Sequence, residues 1–213
     1  MFLLLTGASG VGKSTVRREL EPRLGDAVRC AEFAGLVTIP PTLDLAWRQQ
    51  ATEEVVGYAL AEQEHGRHFM LAGDPVPPGE LLAAPSADRL HGIAVCLLDC
   101  SAEEQLARLT ARGDPPAAFH AHQNFLEWMR GHTRDPHHRP EVIVERGWDC
   151  MCWERWTSWH EGDPRWRFTE LDTTPLRPEE TADGTLEWCE QALRGEVPVL
   201  TGDWAGKRPG AAG

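Results

Sequence analysis

Gly7-Ala8-Ser9-Gly10-Val11-Gly12-Lys13-Ser14 is the stretch on which the reading of this chain turns. It follows the apolar run Phe2-Leu3-Leu4-Leu5-Thr6 and leads into Lys13 to Leu24, where Val16, Leu20 and Leu24 recur at helical spacing. Strand, glycine-rich loop and helix form the setting in which the pattern G-x-x-x-x-G-K-[ST] cradles phosphate. Glycine lets the backbone wrap an anion, so that amides from Ser9 to Ser14 and the helix N-terminus point at it. Lys13 is expected to place a mobile positive charge on the β- and γ-phosphates, Ser14 to give Mg²⁺ a hydroxyl ligand, and Thr15 to donate to the α- or β-phosphate. Gly7, Ser9, Gly10, Val11 and Gly12 complete the expected nucleotide-binding set.

The rest of the chain restricts what such a P-loop can serve. With 213 residues one substantial core is expected, so a single domain over 1–194, carrying a lid and insertion over 113–164, and a tail over 195–213, is the economical division. The net charge of -12 weighs against binding nucleic acid through its phosphates. Met1 to Leu5 is apolar but too short for a signal peptide or membrane span, and the six cysteines are spread through the chain, several in apolar runs where a free thiol packs as a small hydrophobe. A cytoplasmic protein without disulfides, monomeric or homodimeric and independent of membranes, is expected.

Strands are expected at Val28 to Glu32, Arg67 to Gly73, Gly92 to Asp99 and Trp166 to Leu171. Helices are expected at Thr42 to Gln63, after Ser101 as N-cap with Glu104 three residues on, and from Pro178 to Leu193. This alternation implies an α/β fold of three layers, a five-stranded parallel sheet between helices. Between Gly113 and Pro164 prolines, six histidines and five tryptophans crowd a stretch without strand signal, expected to be a helical, tryptophan-rich insertion. Its His137, His138, Cys150, Cys152 and His160 lack a standard structural zinc spacing. The tail is expected to fray or drape over the surface.

No Asn-Lys-x-Asp run for reading guanine is present, and no transporter signature, which leaves the small-kinase branch of P-loop proteins. The run Leu98-Asp99-Cys100-Ser101-Ala102-Glu103-Glu104-Gln105-Leu106-Ala107-Arg108-Leu109-Thr110-Ala111-Arg112-Gly113 resembles the fourth strand and following helix of nucleotide, gluconate and shikimate kinases. More narrowly, Ala111-Arg112-Gly113-Asp114 and Leu171-Asp172-Thr173-Thr174 resemble segments of the chloramphenicol phosphotransferase-like and tunicamycin-resistance-like proteins. The resemblance implies ATP-dependent phosphorylation of a hydroxyl on a small molecule such as an antibiotic or another secondary metabolite, with Mg²⁺. A nucleoside or nucleotide kinase, which Gln49 and Gln50 keep open, and a non-catalytic nucleotide-binding regulator are the alternatives.

The same resemblance places an acid after the second strand, at Glu32, to orient or deprotonate the acceptor; the other reading of Glu32 is a solvated strand end. Asp74, at the end of the third strand, is a candidate for holding Mg²⁺ through water or for binding the acceptor, or else a turn residue before Pro75. Asp99 ranks below it as a structural residue. Arg112 is the expected lid arginine on the transferring phosphoryl, with Arg108 one helical turn away. Pro115 stands where the resemblance expects a second lid arginine, so Arg130 or Arg134 is a candidate to replace it. Trp47 and Arg48 fall where the acceptor is expected, Arg48 to bind an anionic group or to snorkel over a half-buried tryptophan. The base of ATP is expected near Thr173.

Overall fold

A computed structural model describes residues 1–202 together with Trp204 and Ala205. Five parallel strands, β1 (Phe2–Thr6), β2 (Val28–Ala31), β3 (His68–Ala72), β4 (Gly92–Asp99) and β5 (Thr169–Asp172), lie in the order β2-β3-β1-β4-β5. The helices are α1 (Lys13–Leu24), α2 (Leu45–Glu64), α3 (Pro78–Ala83), α4 (Ala102–Arg112), α5 (Phe119–Arg134), α6 (Glu141–Val144) and α7 (Pro178–Arg194).

The pleat of β1 explains the three layers, because alternate side chains leave a strand on opposite faces. Phe2 and Leu4 join the core beneath α2 and α3, whereas Leu3 and Leu5 join the core against α1 and α7. All of β1 and β4 is buried, which is why both read as continuous apolar runs. Helix limits follow their caps. Asp44 accepts the Trp47 N–H at 2.7 Å and starts α2 at Leu45, three residues later than the prolines suggested, and Ser101 accepts the Glu104 N–H at 3.1 Å to start α4.

Three expectations are corrected. The last parallel strand starts at Thr169, because Trp166 leaves the sheet to pack on His132 and Trp156. The tail does not simply drape: β6 (Leu200–Thr201) pairs antiparallel with Gly92 and Ile93, and Leu200 and Trp204 are buried. Residue 203 and residues 206–213 of the expected tail lie outside the described residues. The insertion is α-helical only through α5 and α6; beyond Val144 it continues as turns and irregular backbone with one short 3₁₀ helix, Trp153–Arg155. Trp156 and Trp159 are wholly buried and Trp128 nearly so, and all three indoles belong to the core. Arg155 fastens this segment by donating to the carbonyls of Leu82, Ala84 and Pro85, and the Trp156 indole donates to Gly79 O at 2.8 Å. No helix among the described residues is long and apolar enough to cross a membrane.

Candidate functional site

The loop between β1 and α1 is pressed against the end of β4. A Cβ on Gly7 would lie 2.3 Å from the Leu98 carbonyl oxygen, so no larger residue fits there. Among the described residues the N–H groups of Ser9, Gly10, Val11 and Gly12 have no acceptor, an unusual density of free donors in a half-buried loop. Lys13 is almost wholly buried and its Nζ donates to Gly7 O and Ala8 O, each at 2.8 Å, leaving one N–H uncommitted. Burial lowers its pKa to about 8; the charges of Asp74 and Glu32 oppose that shift and Arg112 reinforces it. The Ser14 side chain is exposed beside it and Thr15 is half-buried.

A cleft of about 590 Å³ opens from Gly12 to Thr15, passes Arg108 and Arg112, and ends on Leu176 and Pro178. Its volume suits a nucleotide. Thr173 does not line it: the hydroxyl is buried, donates to Asp99 O and accepts from Arg108 at 2.9 Å, so it holds the β5–α7 turn to β4.

Two carboxylates stand at the carboxyl ends of β2 and β3. Glu32 Oε1 accepts from Arg17 Nε at 2.9 Å, and its side chain lies across Gly73, where a Cβ would come within 2.6 Å of it. Gly73 also has φ 110, so glycine is required there twice over. Asp74 Oδ2 accepts the Phe33 N–H at 2.8 Å. Burial raises the Asp74 pKa to about 6, the Phe33 N–H opposes the rise, Glu32 adds to it and Lys13 opposes it. The other oxygen of Asp74 has no partner among the described residues. An exposed Ser14 hydroxyl with an open carboxylate oxygen at the end of β3 is a donor set that fits hydrated Mg²⁺.

No family model and no curated protein matches this sequence. Solved structures do. A sugar kinase from Janibacter sp. HTCC2649 is similar with TM-score 0.57 and 14% identity, over 89% of this chain and 94% of that one. The tunicamycin resistance protein of Deinococcus radiodurans matches with TM-score 0.54 and 14% identity, over 88% and 94%. Shikimate kinase from Aquifex aeolicus matches with TM-score 0.51 and 15% identity, over 92% and 99%. This is the P-loop kinase fold.

Arg112, the last residue of α4, lines the cleft, and its guanidinium is held by Asp114 through a pair of hydrogen bonds, which raise its pKa. Arg108 lines the cleft too, bonded to Glu104 at 2.8 Å and to Thr173 O at 2.8 Å. The other arginines expected at the site, Arg130, Arg134 and Arg48, are committed elsewhere. Arg130 clamps Asp99 at 2.6 and 2.9 Å and reaches Cys100 O, which gives Asp99 its structural place. Arg134 pairs with Glu170 on β5 at the surface. Arg48 makes a forked pair with the wholly buried Glu80, which also accepts from Thr52, while Trp47 sets its edge on Phe33 and donates to Thr38 O. The structure thus brings Glu32, Asp74 and Arg112 each within electrostatic reach of Lys13, and Arg134 is engaged with Glu170 at the surface. Among the described residues no three His, Cys, Asp or Glu side chains converge as a metal set, and all six cysteines are free.

Sequence reasoning missed Arg17, which tethers Glu32, and Gln105, a wholly buried amide on α4. Gln105 carried a signal: it lies four residues before the buried Leu109, so a polar residue occupies an inward helical position.

Proposed function

We propose that this protein is an ATP-dependent, Mg²⁺-assisted phosphotransferase of the cytoplasm that moves the γ-phosphoryl group to a hydroxyl of a small molecule such as an antibiotic or secondary metabolite. The observation that carries the reading is the buried Lys13 between a loop of unbonded amides and the carboxylates at the ends of β2 and β3. The amides and Lys13 hold the triphosphate, and the acceptor oxygen forms its bond to γ-phosphorus as the bridging oxygen leaves with ADP. Glu32 and Asp74 stand where the acceptor's proton must go. Arg112, released from Asp114, offsets charge on the moving phosphoryl. Mg²⁺ bound by Ser14, and through water by Asp74, would neutralise the β- and γ-phosphates.

The nucleoside-kinase alternative loses one support, because the buried Gln49 amide already donates to Ile143 O and accepts the Trp148 N–H. Mg–ATP turnover across hydroxylated metabolites, antibiotics, nucleosides and nucleotides, with mass detection of product, tests the proposal. One acceptor-dependent product is expected, and Lys13→Met should reduce its formation by about 10³-fold or more. Tight ATP binding without any product would instead support a nucleotide-dependent regulator.

A further inference from the structure

We infer that Gln105 is a positioning residue for the triphosphate: its side-chain amide sets the Ser9–Gly10 peptide so that the Gly10 N–H serves the anion, and ties that setting to the seat of α5. The inference rests on the nucleotide-binding reading above. Gln105 Nε2 donates to Ser9 O at 2.8 Å and to His122 O at 3.2 Å, so one buried amide joins the P-loop to the first turns of α5. The peptide unit is planar and trans, with its C=O and N–H pointing opposite ways. A donor that holds the Ser9 carbonyl back against α4 therefore turns the Gly10 N–H the other way, and that N–H has no acceptor in the protein. Gly10 also packs directly on the Gln105 stem: a Cβ there would come within 3.3 Å of Cγ.

Stability alone does not account for a glutamine at this position. Its Oε1 is buried without a partner, a desolvation cost that an apolar side chain of the same length would avoid. The polar end is retained although half of it is unsatisfied, and its satisfied half holds only two carbonyls, one in the phosphate loop and one in the helix that follows the lid. The same helix turn carries the His122 ring, 3.7 Å from Asp114, the residue that holds Arg112. Gln105 thus stands between the loop that grips the triphosphate and the turn of α5 whose His122 faces the Asp114–Arg112 pair.

The test uses the full chain with Mg–ATP as the probe, calorimetric affinity, thermal melting and backbone amide NMR. Gln105→Met removes the donor and the unsatisfied acceptor together while keeping the side chain's length. The expected result is a melting temperature equal to or above wild type, with ATP affinity about tenfold weaker, the scale of one charge-assisted hydrogen bond. In wild type the Gly10 amide proton should shift downfield on ATP addition, and in the variant that shift should shrink. Gln105→Glu, which cannot donate and sets a charge beside the Ser9 carbonyl, should lose more affinity. Wild-type affinity in Gln105→Met overturns the inference, as does a loss of affinity that follows a loss of melting temperature. Should the variants fail to fold, wild type still decides: a Gly10 amide unmoved by ATP while those of Gly12 and Lys13 shift overturns it. Failure of wild type to bind ATP at all would remove the nucleotide reading itself, and this inference with it.

Discussion

The phosphate loop and the tryptophan-rich segment are the two stretches of this chain with the most distinctive composition, and they use their polar atoms in opposite ways. In the loop and at the end of β3, four successive N–H groups, one N–H of Lys13 and an oxygen of Asp74 have no partner among the described residues. In the tryptophan-rich segment several donors are committed to single carbonyls or sets of them: Arg155 binds three carbonyls, Trp156 binds Gly79 O, Trp128 binds Arg139 O and Trp166 binds His132 O, while His132 Nδ1 stays buried without a partner among the described residues. A buried polar group normally finds a partner within the fold. Where several converge without one, the fold has left hydrogen-bonding capacity for something else, and this marks a site better than an abundance of histidine and tryptophan does.

That contrast can be broken by experiment. Trp156 is wholly buried between His132, Trp153 and Trp166, so Trp156→Ala should cost about 3–5 kcal/mol of stability in denaturant melts and leave ATP affinity of the folded fraction unchanged. A variant of near-normal stability with a raised acceptor KM would instead place the tryptophans against the acceptor.

Asp74 tests the other side of the comparison. Its native pKa, about 6, stands above its ordinary 3.8, so the native state holds this proton more tightly than the unfolded chain does. The resulting stabilisation is full below the ordinary value and is lost as pH rises through about 6. Asp74→Asn should not show that loss and should exceed wild type at pH 7 by on the order of 1–2 kcal/mol, the gap narrowing toward pH 4. Urea midpoints measured across that range check it, and a gap independent of pH would mean that Asp74 is not held in this way.

The smallest effect is expected at Arg134, whose pair with Glu170 is exposed on both sides. Arg134→Ala should change stability by no more than about 0.5 kcal/mol and leave phosphoryl transfer intact. A tenfold fall in transfer rate would bring this arginine into the lid.

What was legible in advance follows from the range of the forces involved. The first strand, its loop and α1 are set by local pattern, and β4 and its capped helix are marked by an unbroken apolar run and a serine. Longer-range features were harder to read. Trp166-Arg167-Phe168 is as apolar as a strand, yet Trp166 is drawn away by rings on α5 and in the insertion, contacts with no sequence period. Within the site, Lys13 and Ser14 were readable because the motif carries its own geometry. The tether of Arg17 on Glu32 and the clamp of Arg130 on Asp99 depend on how helices meet strand ends, which spacing does not encode.

The short strand β6 has a consequence for the edge of the sheet. β5 pairs with β4 only from Cys96 onward, so the first residues of β4, among the most apolar in the chain, would present bare main-chain donors and acceptors on that side. Leu200 and Thr201 cover them at Gly92 and Ile93. A chain cut before Leu200 would keep its phosphate loop but expose an open template for strand addition by a second copy, so truncation there trades solubility for nothing at the site.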